Sequence, residues 1–312
     1  MKTSICISQK VIIKTKVKFV KSKTDPCLYT RKVKNKFIYL IVYVHDFIIS
    51  CKDVNLIKQT ADYFSKFFNL TDLGNLNHYL GIKIEKDKDG IYCLNQEQYI
   101  DGLLSRFGLK DAKISSIPLD PGYLKAREQS QKLPNENDYQ QLIGNLLYIT
   151  VHTRPDINSY VTILSQFNKN PTQADLVEAK RVLRYLKGTK HLFLKLGNCN
   201  DRELKLKNLY GYADADWAQS KLDRKSNSGN IFMFNGSPIS WSCKKQIRTA
   251  LSSTEAKYIS LADASQEAIW LRRLLKDFNL MQKGPTLIFE DNQSCLKLVE
   301  NNKFSNRTKH ID

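Results

Sequence analysis

The stretch "FIYLIVYVHDFIISC", residues 37–51, limits the architecture more than any other part of the chain. Eight apolar residues run without interruption from 37 to 44, a His45-Asp46 pair breaks the run, and Phe47, Ile48 and Ile49 resume it. Isoleucine, valine, tyrosine and phenylalanine on both sides of so short a polar break describe two buried strands joined by a tight connection at His45-Asp46. Buried strands need a covering layer, and residues 54–68 supply one, with Leu56, Ala61, Phe64 and the Phe67/Phe68 pair at helical spacing. Eight apolar residues fall well short of the roughly 18 that a membrane span requires, so no membrane partner is expected and the run belongs to a protein core. What a charged pair does at its tip is the first functional question.

Further along, "KDKDG" at 86–90 marks a turn between two strands, and a helix is expected through 99–109. Residues 118–138 are polar and proline-bearing and read as a loop or linker. Helical patterns resume at 139–153 and 173–189, the second expected to close on Gly188 as its C-cap. From about residue 204 the texture changes. Short strands are expected at 206–217, 229–236 and 237–246, then a long helix at 252–278, a strand at 285–290 and a helix at 293–301. No internal repeat is visible. The pattern predicts an α/β (α+β) chain whose second half is a mixed sheet with helices packed on it.

A length of 312 residues is enough for two domains. Lys and Arg outnumber Asp and Glu by 49 to 31, a formal charge of +18, which makes nucleic acid the first partner to expect and a solvated lysine-rich surface the alternative. The seven cysteines, at 6, 27, 51, 93, 199, 243 and 295, are odd in number and never spaced as CxxC, so they read as reduced intracellular thiols, not as a disulfide framework or a zinc site. The N-terminal segment interrupts its apolar residues with lysine and makes a poor signal peptide.

Three carboxylates of the second half sit at the edges of expected elements: Asp214 towards the end of its first strand, Glu255 in the first turn of the long helix, and Asp291 just after the strand at 285–290. Each has an innocent explanation. Ser252 and Glu255 form an S-x-x-E capping box, and Asp291 can cap the following helix. Together, a first-strand Asp, a helix-start Glu and a fourth-strand Asp are the arrangement by which a ribonuclease H-like sheet converges carboxylates on two divalent metals.

The segment from "LYGYADADW" through "SPISWSCKKQIRTALSSTEAKYISLADASQEAIWLRRLL" to "IFEDNQS" and "RTKHID" resembles the ribonuclease H domain of copia-type retrotransposon Pol polyproteins. Upstream, "SKTDPCLYTRK", "LGNLNHYLGIKI", "QLIGNLLYITVHTRPDI" and "AKRVLRYLKGT" resemble the C-terminal part of the reverse transcriptase of the same polyproteins, so the likeness covers roughly residues 18–312 in order. It implies residues 1–205 as a partial reverse transcriptase (end of palm, thumb and connection) and 206–312 as a ribonuclease H-like domain, truncated at its C-terminus. It assigns Asp214, Glu255 and Asp291 as catalytic residues and ligands of Mg²⁺ or Mn²⁺, with Asp216 a lesser substitute for Asp214. Neither His310 nor Asp312 aligns with the family's fourth carboxylate, which lies beyond the last residue.

The resemblance also addresses the opening pair. Family members carry Tyr-Val-Asp-Asp at the palm hairpin, whereas this chain reads Tyr43-Val44-His45-Asp46, leaving Asp46 as a polymerase remnant with His45 in place of its partner. Imidazole brings no negative charge and suits softer ions than Mg²⁺. With only 42 residues ahead of Tyr43, the expectation is an inactive polymerase and a weak hybrid nuclease. The alternatives are a non-catalytic nucleic-acid-binding protein or a degenerate transposon remnant. Lys244 and Lys245, with Trp217 and Trp241 nearby, are candidate contacts to an RNA–DNA hybrid, and other Pol-derived chains are candidate partners.

Overall fold

The computed structural model describes residues 17–197, 208–217 and 223–301. The expectations for His310 and Asp312 lie outside the described residues. The chain separates into two compact units, one built from Met1–Leu76 with Glu267–Pro285, the other from Asn77–Gln266 with Thr286–Asp312.

In the first unit, β1 (Val20–Lys21), β2 (Leu28–Val33), β3 (Lys36–Tyr43) and β4 (Asp46–Ser50) form an antiparallel sheet in that order. Ile38, Leu40 and Val42 of β3 are buried while their neighbours are less so, the period of two that a sheet covered on one face produces. The hairpin is therefore sided, not buried on both faces. The cover is α1 (Val54–Ser65), opened by Asp53, whose carboxylate accepts the Asn55 N–H at 3.0 Å. Phe64 is fully buried between Phe19 and Phe47, and Phe68, just past the helix, meets Phe47 edge-on at 5.7 Å between ring centroids.

The second unit contains two sheets. β5 (His78–Tyr79), β6 (Ile82–Lys86), β7 (Tyr92–Asn95) and β8 (Leu194–Leu196) are antiparallel and consecutive. With them go α2 (Glu97–Arg106), α3 (Tyr123–Glu128), α4 (Asn137–His152), α5 (Asn158–Ser165) and α6 (Gln173–Thr189), whose apolar faces share one core around Leu142, Leu146, Ile149, Val161, Val182 and Leu186. Two expectations are corrected here. Residues 118–138 are not a linker: they contain α3, and Tyr123 is buried with its hydroxyl donating to Asp175 at 2.5 Å. Gly188 does not cap α6 but lies within it, where a Cβ would come 3.4 Å from Ile114.

Asp175 organises this region. It is fully buried, forms a capping box with Thr172 at the start of α6, and accepts the Arg127 Nε–H at 2.9 Å.

The other sheet runs β11 (Ser237–Lys245), β10 (Asn227–Phe234), β9 (Leu209–Ala215), β12 (Leu287–Phe289), with β9, β10 and β11 antiparallel and β12 parallel to β9. A helix, α7 (Ser253–Asp277), intervenes before β12, as a parallel partner requires, and α8 (Gln293–Asn301) follows it. The first half of α7 lies on the sheet through Ala256, Ser260 and Ala264, all fully buried, and Ser260 Oγ donates to the Asp214 carbonyl at 2.6 Å. The inner face of β9 is equally close: a Cβ on Gly211 would stand 2.5 Å from the Phe232 ring.

Candidate functional site

At the hairpin, Tyr43 pairs with Asp46 across the ladder, so the turn is Val44-His45, one residue earlier than the sequence indicated. Val44 takes φ of +52°, a conformation that β-branched residues rarely adopt. His45 and Asp46 are exposed, and neither side chain forms a hydrogen bond or ion pair among the described residues. The tip thus offers one carboxylate on an open turn.

The second place is the edge of the β9–β12 pair. Parallel register, with Tyr212 opposite Phe289, brings Asp214 near the end of β9 and Asp291 just past β12 to the same side of the sheet. Both are largely exposed, and what joins them is Lys257 of α7. Its ammonium donates to Asp214 Oδ1 and to Asp291 Oδ1, the latter at 2.6 Å, from a side chain only 12% exposed. Glu290, which the sequence did not single out, completes the group. Its side chain is 0% exposed, Oε1 accepts the Asn292 N–H at 3.1 Å and lies 3.7 Å from the Lys257 ammonium, and Oε2 is buried without a hydrogen-bond partner among the described residues.

The protonation equilibria follow from this packing. Burial pulls the Lys257 ammonium down, but its bonds to Asp214 and Asp291 outweigh that and hold it above the usual lysine value. The Lys257 ammonium holds the Asp291 carboxyl below its ordinary range, whereas burial pushes Glu290 up.

Glu255 takes a different role. Its carboxylate accepts the Leu251 N–H at 2.6 Å while its own N–H donates to Ser252 Oγ at 3.1 Å, closing the start of α7. Positions two apart on an α-helix differ by about 200°, so residues 255 and 257 face away from one another. Residues 257 and 260 share a face, and it is Ser260 that rests on β9. The structure brings Asp214 and Asp291 together, and the helix side chain between them is Lys257. Lys257 stands one turn ahead of Ser260 on α7, and only the packing of α7 on the sheet gives that placement its meaning.

The remaining candidates are engaged within the fold. Asp216 accepts the Asn227 N–H at 2.7 Å and its side-chain amide at 2.9 Å. Lys244 pairs with Asp263 at 3.1 Å and Lys245 with Asp223 at 2.9 Å. The Trp241 indole donates to the Thr150 carbonyl at 2.7 Å, and the half-exposed Trp217 to the Ala250 carbonyl at 3.3 Å.

The reverse transcriptase (RNA-dependent DNA polymerase) family profile matches residues 2–121. The retrovirus-related Pol polyprotein of transposon TNT 1-94 from Nicotiana tabacum is 39% identical over 303 residues, 94% of this chain and 22% of that polyprotein. The corresponding polyprotein of transposon RE1 from Arabidopsis thaliana is 37% identical over 295 residues, 94% of this chain and 20% of its own. An uncharacterized mitochondrial protein of Arabidopsis thaliana is 35% identical over 233 residues, 75% of this chain and 94% of its own length. The chain belongs to the copia-type retrotransposon Pol family. It spans about a fifth of the length of the Pol polyproteins it matches. No solved structure matches it.

Reverse transcriptases as a family act on nucleic acids with divalent metals, so the two places can be tested for fit. Among the described residues, no group of three or more His, Cys, Asp or Glu side chains is placed to hold a metal ion. In this copia-type chain Asp46 stands without a second carboxylate at the hairpin, and Asp214 and Asp291 close on an ammonium. Neither place fits a paired Mg²⁺ or Mn²⁺ centre.

Proposed function

We propose that this chain is a nucleic-acid-binding part of a copia-type Pol polyprotein that does not polymerise DNA, with residues 1–205 derived from reverse transcriptase and 206–312 from a ribonuclease H-like domain. The observation that carries the proposal is the hairpin tip. A polymerase of this family needs adjacent carboxylates to hold hard cations at the primer end, and here the hairpin tip presents His45 and Asp46, exposed and with no side-chain partner among the described residues. The formal charge of +18 supports binding to a polyanion. The order β11-β10-β9-β12, with only its edge strand β12 parallel, supports the ribonuclease H-like reading of the second part.

Primer extension on an RNA template in Mg²⁺ or Mn²⁺ is expected to stay at background, while affinity for an RNA–DNA hybrid falls linearly in log–log form as salt rises. Extension above background overturns the first statement, and a flat salt response overturns the second. A residual hybrid ribonuclease is the second reading, favoured by Asp214 and Asp291 standing together at one sheet edge. Hybrid cleavage that disappears in Asp291→Asn establishes that reading.

A further inference from the structure

The Asp214–Glu290–Asp291 group has the make-up of a cation site with the cation already supplied. Three carboxylates, one near the end of β9 and two just past its parallel neighbour β12, gather around one point, and the Lys257 ammonium sits at that point. Two features separate this from a surface ion pair. The side chains of the lysine and of Glu290 are both nearly or wholly enclosed, the glutamate with one oxygen near the ammonium and the other without a hydrogen-bond partner among the described residues. An enclosed carboxylate with an unused oxygen is costly unless something positive stands close to it.

We propose that Lys257 acts as a built-in cation that keeps divalent metal off this carboxylate cluster, and that the residue at position 257 alone decides whether the cluster takes up a metal. The Oδ1 atoms of Asp214 and Asp291 are both committed to the ammonium, and a dication brought to the same oxygens meets a like charge that the helix cannot withdraw. The lysine is fixed by its place one turn before Ser260, whose hydroxyl bonds the backbone of Asp214 itself. Lysine at 257 therefore neutralises the cluster without the entropy cost of capturing an ion. A carboxylate at 257 adds an anionic oxygen donor at the same point and leaves the cluster in need of a metal. This inference stands on the geometry of the cluster alone and does not depend on how residues 206–312 are classified.

The test is Mn²⁺ binding to the full chain, read from loss of the free-ion electron paramagnetic resonance signal and, separately, from the rise of Tm with added Mn²⁺. Wild type and Asp214→Asn are expected to titrate alike, because the cluster takes no metal in either. Lys257→Glu is expected to gain one site at least about tenfold tighter than any in wild type, with a metal-dependent rise in Tm, and to lose both when combined with Asp214→Asn. Lys257→Gln, which removes the charge and keeps the length, is expected to gain weaker binding of the same kind and serves if Lys257→Glu fails to fold. Binding by wild type that Asp214→Asn removes overturns the proposal. So does a folded Lys257→Glu chain that binds Mn²⁺ no better than wild type. If neither variant folds, the comparison of wild type with Asp214→Asn decides alone.

Discussion

The hairpin tip and the β9–β12 edge both carry aspartates where the family resemblance assigns metal ligands, yet they differ in what surrounds them. At the tip, Val44 and His45 leave Asp46 in solvent with no partner among the described residues. At the sheet edge, Asp214 and Asp291 keep their places, and Lys257 between them meets their charge from inside the fold. One place presents a single carboxylate beside an imidazole, with no counter-ion among the described residues. The other presents carboxylates gathered on an ammonium. The lesson is that a motif letter retained in sequence is not a ligand retained in space, because a neighbour two residues from the expected one can claim the same oxygens.

Four substitutions would break or sharpen that contrast. The largest effect is expected at Gly211→Ala, which drives a methyl group into the Phe232 ring under the strand that carries Asp214. A loss of about 2–3 kcal/mol in denaturant unfolding is expected, and a silent substitution would mean that the frame of the acid cluster is soft. Next comes Lys257→Ala, which strips the enclosed Glu290 of its nearby cation and removes the packed lysine stem, for about 1–2 kcal/mol at neutral pH.

That second loss should depend on pH. The Asp291 carboxyl is held below its ordinary 3.8, so its pairing with Lys257 contributes fully above that value and fades as pH falls through the lower folded value. The gap between wild type and Lys257→Ala should therefore narrow in strong acid. A gap that stays constant into strong acid would show that the loss comes from the packed lysine stem and not from its ion pairs, because the ammonium lowers Glu290 as well as Asp291.

Ser252→Ala removes the hydroxyl that caps α7 and should cost about 1 kcal/mol in the same unfolding assay. The smallest effect is expected at His45→Asp, within about 0.5 kcal/mol of wild type, as for a surface position without contacts. A larger shift would mean that the tip has partners after all, and the contrast between the two places would fail.

Much of the architecture was legible from periodicity. The 37–51 hairpin, the helix behind it, the strand series from about residue 206 and the long helix all stand where apolar spacing put them. Residues 118–138 misled because their polar composition hides Tyr123, whose partner Asp175 lies 52 residues away. Asp214 and Asp291 were legible as strand-end carboxylates. Lys257 and Glu290 were not, because their roles arise from the parallel register of β9 with β12 and the rotation of α7 about its axis. Neither is a property of any short stretch of sequence. Glu255 showed the reverse case: Ser252 Oγ accepts its N–H as the S-x-x-E spacing indicates, while its carboxylate reaches the Leu251 N–H, one residue before the one a full capping box would use.

The buried Asp175 node has a consequence for how this chain breathes. It links α3 to the first turn of α6 through a carboxylate that cannot reach solvent until the surrounding helices part, and those helices hold side chains with no exposed surface at all. Opening there must break the capping box, the Tyr123 and Arg127 bonds and the apolar layer in one event. In deuterated solvent, the backbone amides of α4 and α6 should be the last to exchange, long after those of the β3–β4 turn, marking the helical layer as the chain's slowest cooperative unit.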